Sequence, residues 1–283
     1  MKASTYFLGA CASLALLSGC GGSKSSSSVV ATVSSVSFDQ VAYRKNTTMT
    51  IIGQNLTQGL TVTNPGCLSI GEVTGGTATK RSFLCKIIAV GTFNATVTNS
   101  AGAQVYFATL TSTLANRPQV TLTTNMGKMV VELNPGKAPV TVDNFLNYVE
   151  AGTYANSIFH RVDSTVIQGG GYNTSLQLLP ALSSIVFEGG LSNVRGTIGM
   201  ARGTDVNSAT SQFYFNRIDN SAIYDSVAAT STAAATYGYT VFGTIVSGLP
   251  VMDAIGAVPT SVQGSLPTAP VTQVVITGAV QTL

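Results

Sequence analysis

The segment at residues 158–171 constrains the fold and the function of this chain more than any other stretch of its sequence. It sets one fixed cation, Arg161, beside a short apolar run, and it continues through Gln168 into three consecutive glycines. An arginine keeps its proton in proteins, and its planar fork of donors suits fixed hydrogen bonding. Glycines let the backbone approach a ligand closely or adopt a positive φ angle. The segment therefore predicts a binding site that is built around one permanent donor.

Two more blocks follow in order, one at residues 195–202 continued by 208–216, and one at residues 239–243. Together with the first block they resemble the signature of the cyclophilin family of peptidyl-prolyl isomerases, and they are nearest to its bacterial periplasmic members. Three ordered blocks are far more specific than any single motif. The resemblance spans residues 117–283 and implies a mainly β domain: a closed, eight-stranded antiparallel barrel capped by two helices.

Local patterns in this region agree with that fold. A turn signal at residues 125–127 separates two β-rich runs, which indicates a hairpin. Apolar residues between positions 142 and 149 recur with the spacing of an amphipathic helix, which Thr141 could cap and Gly152 could end. A second short helix is predicted at residues 249–255, with a proline in its first turn.

The resemblance also implies the roles of individual residues. Arg161 would be the catalytic residue, which donates a hydrogen bond to the prolyl nitrogen. Gln168 would contact the substrate backbone near the proline, and Gln212 would hold the preceding residue as an extended strand. The substrate-binding residues that the resemblance implies are Phe159, Gln168, Met200, Ala201, Arg202, Gln212, Tyr214, Tyr224 and Tyr239. Such a reaction needs no nucleophile, metal or cofactor, so we expect none.

The first block departs from the family pattern at its turn. The distance from Arg161 to Gln168 is one residue shorter than usual, and residues 163–166 replace a Pro-Gly-Phe-Met turn. The aromatic residue that forms the floor of the proline pocket is therefore missing or displaced. Thr165 or Val166 would take its place, with less contact area against a proline ring.

A second departure lies at the rim of the same pocket. Ile223 precedes Tyr224 and Asp225 where the family has tryptophan or phenylalanine, so we expect weak binding of cyclosporin. Residues 226–237 form an insertion rich in Ala, Ser and Thr. The sequence leaves two interpretations of this insertion open, a disordered loop or a wall that narrows access for the substrate.

His160 is the only histidine of the chain. A lone histidine suggests a general base, but isomerisation about a prolyl bond transfers no proton. We therefore interpret His160 as structural, which also disfavours a Ser-His-Asp hydrolase.

The N-terminus resembles that of a bacterial lipoprotein. Lys2 precedes an apolar run at residues 7–17 that is too short to span a membrane, so residues 1–19 indicate an export signal. The run ends in Leu-Ser-Gly-Cys, which is similar to a lipobox and implies cleavage before Cys20 and acylation of that residue. Residues 20–30 then form a Gly/Ser-rich tether. Glycine after the cysteine implies delivery to the outer membrane, facing the periplasm. The alternative to a lipoprotein signal is a plain secretory signal whose cysteine is incidental.

Two further cysteines, Cys67 and Cys85, remain in the exported chain. An isolated pair in an oxidising compartment usually forms a disulfide bond, which for a loop of this length stabilises by roughly 3 kcal/mol. A metal site is the weaker interpretation, because no histidine lies nearby and the spacing is not that of metal ligands.

Residues 31–113 have the pattern of a small β-sandwich. Short runs rich in Val, Ile and Thr, at residues 49–53, 60–63, 93–98 and 104–108, alternate with turn signals. The segment at residues 50–56 resembles the turn of IPT/TIG-type immunoglobulin-like domains. No catalytic constellation occurs here, so we interpret this region as a spacer or an adhesion module.

Charge excludes one class of partner. Only 9% of the residues are charged, and the net charge is +3. Residues 20–113 carry +4, whereas residues 117–283 carry seven Lys/Arg against nine Asp/Glu and are mildly acidic. A nucleic-acid role thus has no electrostatic support.

Two main hypotheses follow. The first is a lipid-anchored envelope isomerase that acts on Xaa-Pro segments of exported or unfolded proteins, and which we expect to be a monomer. The second is a binding module of weak activity, which the altered turn favours; an adhesin without either function ranks last because it leaves the three blocks unexplained.

Overall fold

The computed structural model describes residues 30–230, 233 and 235–283. The predicted signal, Cys20 and most of the tether lie outside these residues. No helix in the described part of the chain is both long and apolar enough to cross a membrane.

The described residues of the N-terminal region form seven strands in two antiparallel sheets. A four-stranded sheet has the order β1-β2-β5-β4, and a three-stranded sheet has the order β3-β6-β7. The strands are β1 (Thr32–Phe38), β2 (Asn46–Gln54), β3 (Leu60–Thr63), β4 (Cys67–Glu72), β5 (Lys80–Ile87), β6 (Gly91–Asn99) and β7 (Gln104–Ser112).

The two sheets pack face to face, as the predicted sandwich requires. Buried Ile51 and Phe83 of one sheet share a cluster with Val97 of the other. Strand β2 alternates buried and exposed residues along its length, which is the period of a half-buried strand. Strands β1, β4 and β5 were not predicted, because their apolar residues are interrupted by serine, glycine or cationic residues.

Cys67 and Cys85 form the predicted disulfide bond, with a Cα–Cα distance of 5.5 Å. It joins β4 to the neighbouring strand β5. The bond lies beside a small apolar cluster that contains Ile87 and Phe93.

The C-terminal region is the closed antiparallel barrel that the resemblance implied. Its order is β10-β11-β13-β12-β14-β9-β8-β17, and β15 and β16 form a separate pair. The strands are β8 (Gln119–Thr124), β9 (Gly127–Leu133), β10 (Ser157–Val162), β11 (Val166–Asn173), β12 (Thr197–Met200), β13 (Phe213–Asn216), β14 (Val241–Ser247), β15 (Thr260–Gln263), β16 (Leu266–Pro270) and β17 (Val274–Gln281).

In the part of the C-terminal region that is described, three helices accompany the barrel: α1 (Pro139–Glu150), the single turn α2 (Ser221–Tyr224), and α3 (Leu249–Gly256). The predicted helices correspond to α1 and α3, whereas α2 was not predicted. Gly152 follows α1 with φ +69°, as expected for a residue that ends a helix.

The predicted cap of α1 was wrong. The helix begins at Pro139, and Thr141 lies inside its first turn. Glu188, distant in sequence, accepts hydrogen bonds from the backbone N–H groups of Val140 and Thr141 at 3.0 and 2.8 Å. The Thr141 hydroxyl donates to the same carboxylate. Glu188 therefore supplies the negative charge that stabilises this helix N-terminus.

Helix α1 also contacts the N-terminal region. Its Asp143, whose side chain is fully buried, accepts a hydrogen bond from Arg44 Nε at 2.7 Å and lies 2.6 Å from Lys86 Nζ. Arg44 reaches α1 from a left-handed backbone conformation with φ +55°, and it also pairs with Glu150. These contacts link the sandwich to the helix that packs against the barrel core.

Candidate functional site

A pocket of about 170 Å³ lies on the outer face of the barrel. Arg161 on β10, Gln168 on β11 and Tyr214 on β13 come from three adjacent strands. The residues that line it are Arg161, Val166, Gln168, Ala201, Arg202, Tyr214, Tyr224 and Tyr239.

The alternation of β13 explains why its middle residue faces the pocket. Phe213 and Phe215 belong to the barrel core and are fully buried. Successive side chains of a strand point to opposite faces, so Tyr214 between them points outward.

The structure brings most of the predicted site residues together. Arg161, Gln168, Ala201, Arg202, Tyr214, Tyr224 and Tyr239 all line the pocket. Gln212 lies beside it, because its Oε1 accepts a hydrogen bond from Gln168 Nε2 at 2.9 Å.

Two predicted substrate-binding residues are corrected. Phe159 is fully buried and packs on Phe213 and Phe215 inside the barrel. Met200 is 1% exposed and belongs to the same core. Neither side chain lines the pocket, and both belong to the core that supports it from within the barrel.

A row of hydrogen bonds runs along the pocket edge. Arg161 Nε donates to Asp163 Oδ2 at 2.9 Å, and Arg161 Nη2 lies 2.7 Å from the same oxygen. On its other side, Arg161 Nη1 donates to Gln168 Oε1 at 3.4 Å. Gln168 then reaches Gln212. The guanidinium is therefore held between a carboxylate and an amide.

Glycines allow this row to form. Gly170 has φ +75°, and a Cβ there would lie 2.8 Å from the Tyr154 ring and 2.9 Å from the Phe213 ring. A Cβ at Gly171 would lie 2.6 Å from Cδ of Gln212. Side chains at these positions would displace the core or Gln212, so the sequence needs glycine at both.

The far wall of the pocket consists of three tyrosines. The ring centroids of Tyr224 and Tyr239 lie 5.2 Å apart, and both rings meet the Tyr214 ring edge-on at 6.0 and 5.9 Å. Such edge-to-face packing is favourable for aromatic rings. The pocket therefore has an aromatic wall, although the usual aromatic residue of the turn is absent. Of the two residues expected in its place, Val166 lines the pocket, whereas the Thr165 hydroxyl donates a hydrogen bond to Asp163.

Asn193 supports the tyrosine wall through hydrogen bonds. The sequence did not identify it as a site residue. Its Oδ1 accepts a hydrogen bond from the Tyr214 hydroxyl at 2.6 Å. Its Nδ2 donates to Asp225 Oδ1 at 2.8 Å and to the backbone oxygen of Tyr224 at 3.1 Å. Burial raises the pKa of Tyr214 well above its usual value, so its hydroxyl stays protonated and donating. No local pattern in the sequence indicates this role, because the partners of Asn193 lie 21 to 32 residues away in the chain.

Arg202 has a structural task besides its place at the pocket. Its guanidinium donates to the backbone oxygens of Gly238 and Tyr237 at 3.1 and 2.9 Å, and to that of Gly203 at 2.9 Å. Its Cζ lies 4.8 Å above the centre of the Tyr239 ring, a cation–π distance. Arg202 thus ties the base of the insertion to the pocket.

The described residues of the insertion fold back on each other as a short arm. Val227 pairs with Thr236 in an antiparallel bridge, and the Ser226 hydroxyl accepts a hydrogen bond from the Gly238 N–H. The Tyr237 ring packs edge-on against Phe187. Residues 231, 232 and 234 lie outside the described chain.

His160 is buried behind the site, 4% exposed, with its ring 4.8 Å from that of Tyr172. Burial lowers its pKa to about 4, so the imidazole is neutral at physiological pH.

In the described part of the chain, no three His, Cys, Asp or Glu side chains lie together as metal ligands would.

Comparison with known proteins agrees with this geometry. Residues 119–281 match the family model for cyclophilin type peptidyl-prolyl cis-trans isomerases. The chain is 43% identical over 163 residues to peptidyl-prolyl cis-trans isomerase cyp18 of Streptomyces antibioticus, a match that covers 56% of this chain and 96% of that protein. It is 39% identical over 160 residues to peptidyl-prolyl cis-trans isomerase B of Escherichia coli, covering 56% and 95%.

Among solved structures, it is similar to a cyclophilin type isomerase of Cryptosporidium parvum, crystallised in the presence of the dipeptide Ala-Pro. The TM-score is 0.46 and the identity 23%, over 58% of this chain and 98% of that one. The family model covers more than half of the chain, and the bacterial relatives are matched over nearly their whole length. The chain belongs to the cyclophilin family of peptidyl-prolyl cis-trans isomerases.

Proposed function

We propose that this chain accelerates cis–trans isomerisation of Xaa-Pro bonds in exported or partly unfolded proteins of the bacterial envelope, with Arg161 as the donor. The observation that carries this proposal is the position of Arg161. It lies at the edge of a pocket with an aromatic wall, held by partners on both sides.

The chemistry requires little more than a placed donor. Rotation about an amide bond has a barrier of about 18–20 kcal/mol, because the nitrogen lone pair is delocalised. In the twisted state that nitrogen becomes pyramidal and basic. A donor that reaches the nitrogen only in this state lowers the barrier without stabilising the planar amide. The proline ring would contact Val166 and the tyrosine wall.

The remaining polar residues would hold the peptide. Gln168 would contact the peptide backbone near the proline, and Gln212 with the backbone of Ala201 would align the preceding residue. Arg202 would act indirectly in this arrangement, because its guanidinium donates to backbone oxygens of Tyr237 in the insertion, of Gly238 and of Gly203. No cofactor takes part.

An assay of Arg161 variants tests the catalytic proposal. The cis-to-trans rate of an Ala-Pro-Phe chromogenic peptide is measured with residues 21–283 and with the variants Arg161→Ala and Arg161→Lys. We expect Arg161→Ala to lower kcat/KM about 100-fold, the usual effect of removing one transition-state donor. Arg161→Lys, which keeps the charge but loses the planar fork, should recover only part of the rate.

The alternative is a binding module of weak activity. The turn at residues 163–166 favours it, because Val166 gives a proline ring less contact area than an aromatic residue would. In that case the native protein would bind Ala-Pro peptides with little acceleration, and Arg161→Ala would change binding more than rate.

The cellular location belongs to the same proposal. The lipobox-like residues 17–20 support acylation of Cys20 and attachment to the outer membrane, facing the periplasm, where we expect the protein to be a monomer. An isomerase that needs no ATP or cofactor suits that compartment, and the N-terminal sandwich would serve as an IPT/TIG-like spacer. Replacing Cys20 with alanine should release the protein from membranes; unchanged partitioning into detergent would refute the lipid anchor.

A further inference from the structure

Asp163 has a double set of contacts that the resemblance does not imply, since it lies in the turn that departs from the family pattern. One carboxylate oxygen, Oδ2, faces Nε and Nη2 of Arg161 at 2.9 and 2.7 Å. The other, Oδ1, accepts hydrogen bonds from Thr165 N–H, the Thr165 hydroxyl and Val166 N–H at 2.8, 2.7 and 3.0 Å. One oxygen thus closes the turn while the other holds the arginine.

The turn itself is held from behind. The backbone oxygen of Asp163 accepts a hydrogen bond from the Arg217 guanidinium. The backbone oxygen of Thr165 accepts two more, from Arg217 N–H at 2.9 Å and from Asn220 Nδ2 at 3.1 Å. Gly256 leaves room for Arg217, because a Cβ at that position would collide with the guanidinium. The Asp163 carboxylate is consequently fixed relative to the barrel.

A fixed carboxylate restricts the long side chain of Arg161. A free arginine side chain loses rotamer entropy when it is held in one geometry. With Nε and Nη2 occupied by Asp163, the Nη1 edge is directed toward Gln168 and the pocket. A donor that is oriented before the reaction contributes more to the rate than one that must be ordered during it.

The charge of Asp163 acts in the opposite direction. A carboxylate beside a guanidinium weakens its hydrogen-bond donation to a third group. The Arg161 side chain is 43% exposed and that of Asp163 is 23% exposed, so solvent screens the pair and limits this loss of donor strength. Burial alone would raise the pKa of Asp163, but the hydrogen bonds from Thr165 and Val166 and the charge of Arg161 lower it, so the carboxylate is ionised at neutral pH. We expect the ordering of Arg161 to outweigh this screened loss of donor strength.

We propose that Asp163 is a positioning residue that fixes the orientation of Arg161 and so raises the isomerisation rate. This inference rests on the proposed role of Arg161 as the donor. It assigns a function to the turn that replaces the family's aromatic residue.

A double-mutant cycle tests it with the full-length protein. Asp163→Asn keeps an oxygen for the turn but loses the charge and the acceptor that faces Arg161. We expect kcat for an Ala-Pro peptide to fall about ten-fold, a change of about 1.4 kcal/mol, with KM within about two-fold of the native value. In the Arg161→Ala background the same substitution should have no further effect, because Asp163 acts through Arg161.

Two control variants and one signal complete the test. Asp219→Asn removes a carboxylate that closes a turn through Ser221 N–H without contacting an arginine, and Ser164→Ala changes an exposed residue of the same turn. Both should retain the native rate. The Arg161 Nε–H resonance should be sharp and shifted in the native protein, and should move to the position of solvent-exposed arginines in Asp163→Asn.

The possible results separate the two proposals. Equal losses of rate in both backgrounds, a native or higher kcat in Asp163→Asn, or an unchanged Nε–H resonance would overturn the positioning role. If Arg161→Ala is as active as the native protein, or the native protein is inactive, the proposed donor role fails instead. The resonance alone then decides whether Asp163 orients Arg161.

Discussion

The sandwich and the barrel are stabilised in different ways. The barrel is closed, so it has no open edge, and its core is one cluster that includes residues of α1 and α3. Among the residues that the structure describes, the N-terminal sheets end in unpaired edge strands, and their apolar residues form two smaller clusters beside a disulfide bond. A small core often requires a covalent link, whereas a large one can support a pocket on its surface without it.

The largest expected effect is on the barrel core. Phe213 packs against the rings of Phe145, Tyr154, Phe159 and Phe215. Phe213→Ala should lower the free energy of unfolding of the barrel by roughly 3–5 kcal/mol, because it leaves a cavity in a close-packed interior. Urea denaturation, with the loss of isomerase activity as the signal of unfolding, measures this change in free energy. An effect below about 1 kcal/mol would contradict a single tightly packed core.

The second effect is confined to the sandwich. Replacing Cys67 and Cys85 with serine should destabilise the N-terminal sheets by roughly 3 kcal/mol, because the unfolded chain regains the freedom of the closed loop. The isomerisation rate of the barrel should stay within about two-fold, since the disulfide lies outside the barrel. A loss of isomerisation rate well beyond two-fold would show that the sandwich and the barrel unfold as one unit.

The third and smallest effect is on the pH dependence of stability, which should differ between the barrel and the sandwich. His160 in the barrel is the only histidine, and its pKa is lowered from 6.5 to about 4 by burial. Between these values the unfolded state binds a proton that the folded state does not, so acid favours unfolding. From pH 7 to pH 5 this residue should cost the barrel about 2 kcal/mol of stability.

Denaturation of the His160→Gln variant measures that contribution. Its stability should change less than that of the native barrel over the same pH range, because it lacks the titrating group. The N-terminal sheets contain no histidine, so their unfolding should not show this contribution. Equal pH dependence of variant and native barrel would contradict the buried, neutral imidazole.

The sequence predicted the barrel and most of the pocket, because the three blocks coincide with strands and with the loops that follow them. It predicted less well which side of a strand a residue occupies. Phe159 stands two residues before Arg161 yet faces the core, and the pairing of β10 with β11 shifts register between these two positions. A local bulge of this kind has no reliable signal in the sequence.

Contacts between distant segments were also not predictable. Glu188 caps α1 from more than 40 residues away, and Asn193 holds Tyr214 beneath the pocket. Asp163 was visible as part of an unusual turn, but its reach to Arg161 depends on the hairpin geometry. In each case the residue type fits its role, whereas the partner is set by the tertiary fold.

Exchange NMR of an Ala-Pro peptide at equilibrium tests the central claim most directly, that Arg161 accelerates rotation about the prolyl bond. With a catalytic amount of native protein, we predict that the cis-to-trans and trans-to-cis rates rise by the same factor, while the populations stay constant. Arg161→Ala should remove about 99% of that acceleration. Native-like exchange rates with Arg161→Ala, or no acceleration by the folded native protein, would contradict the claim.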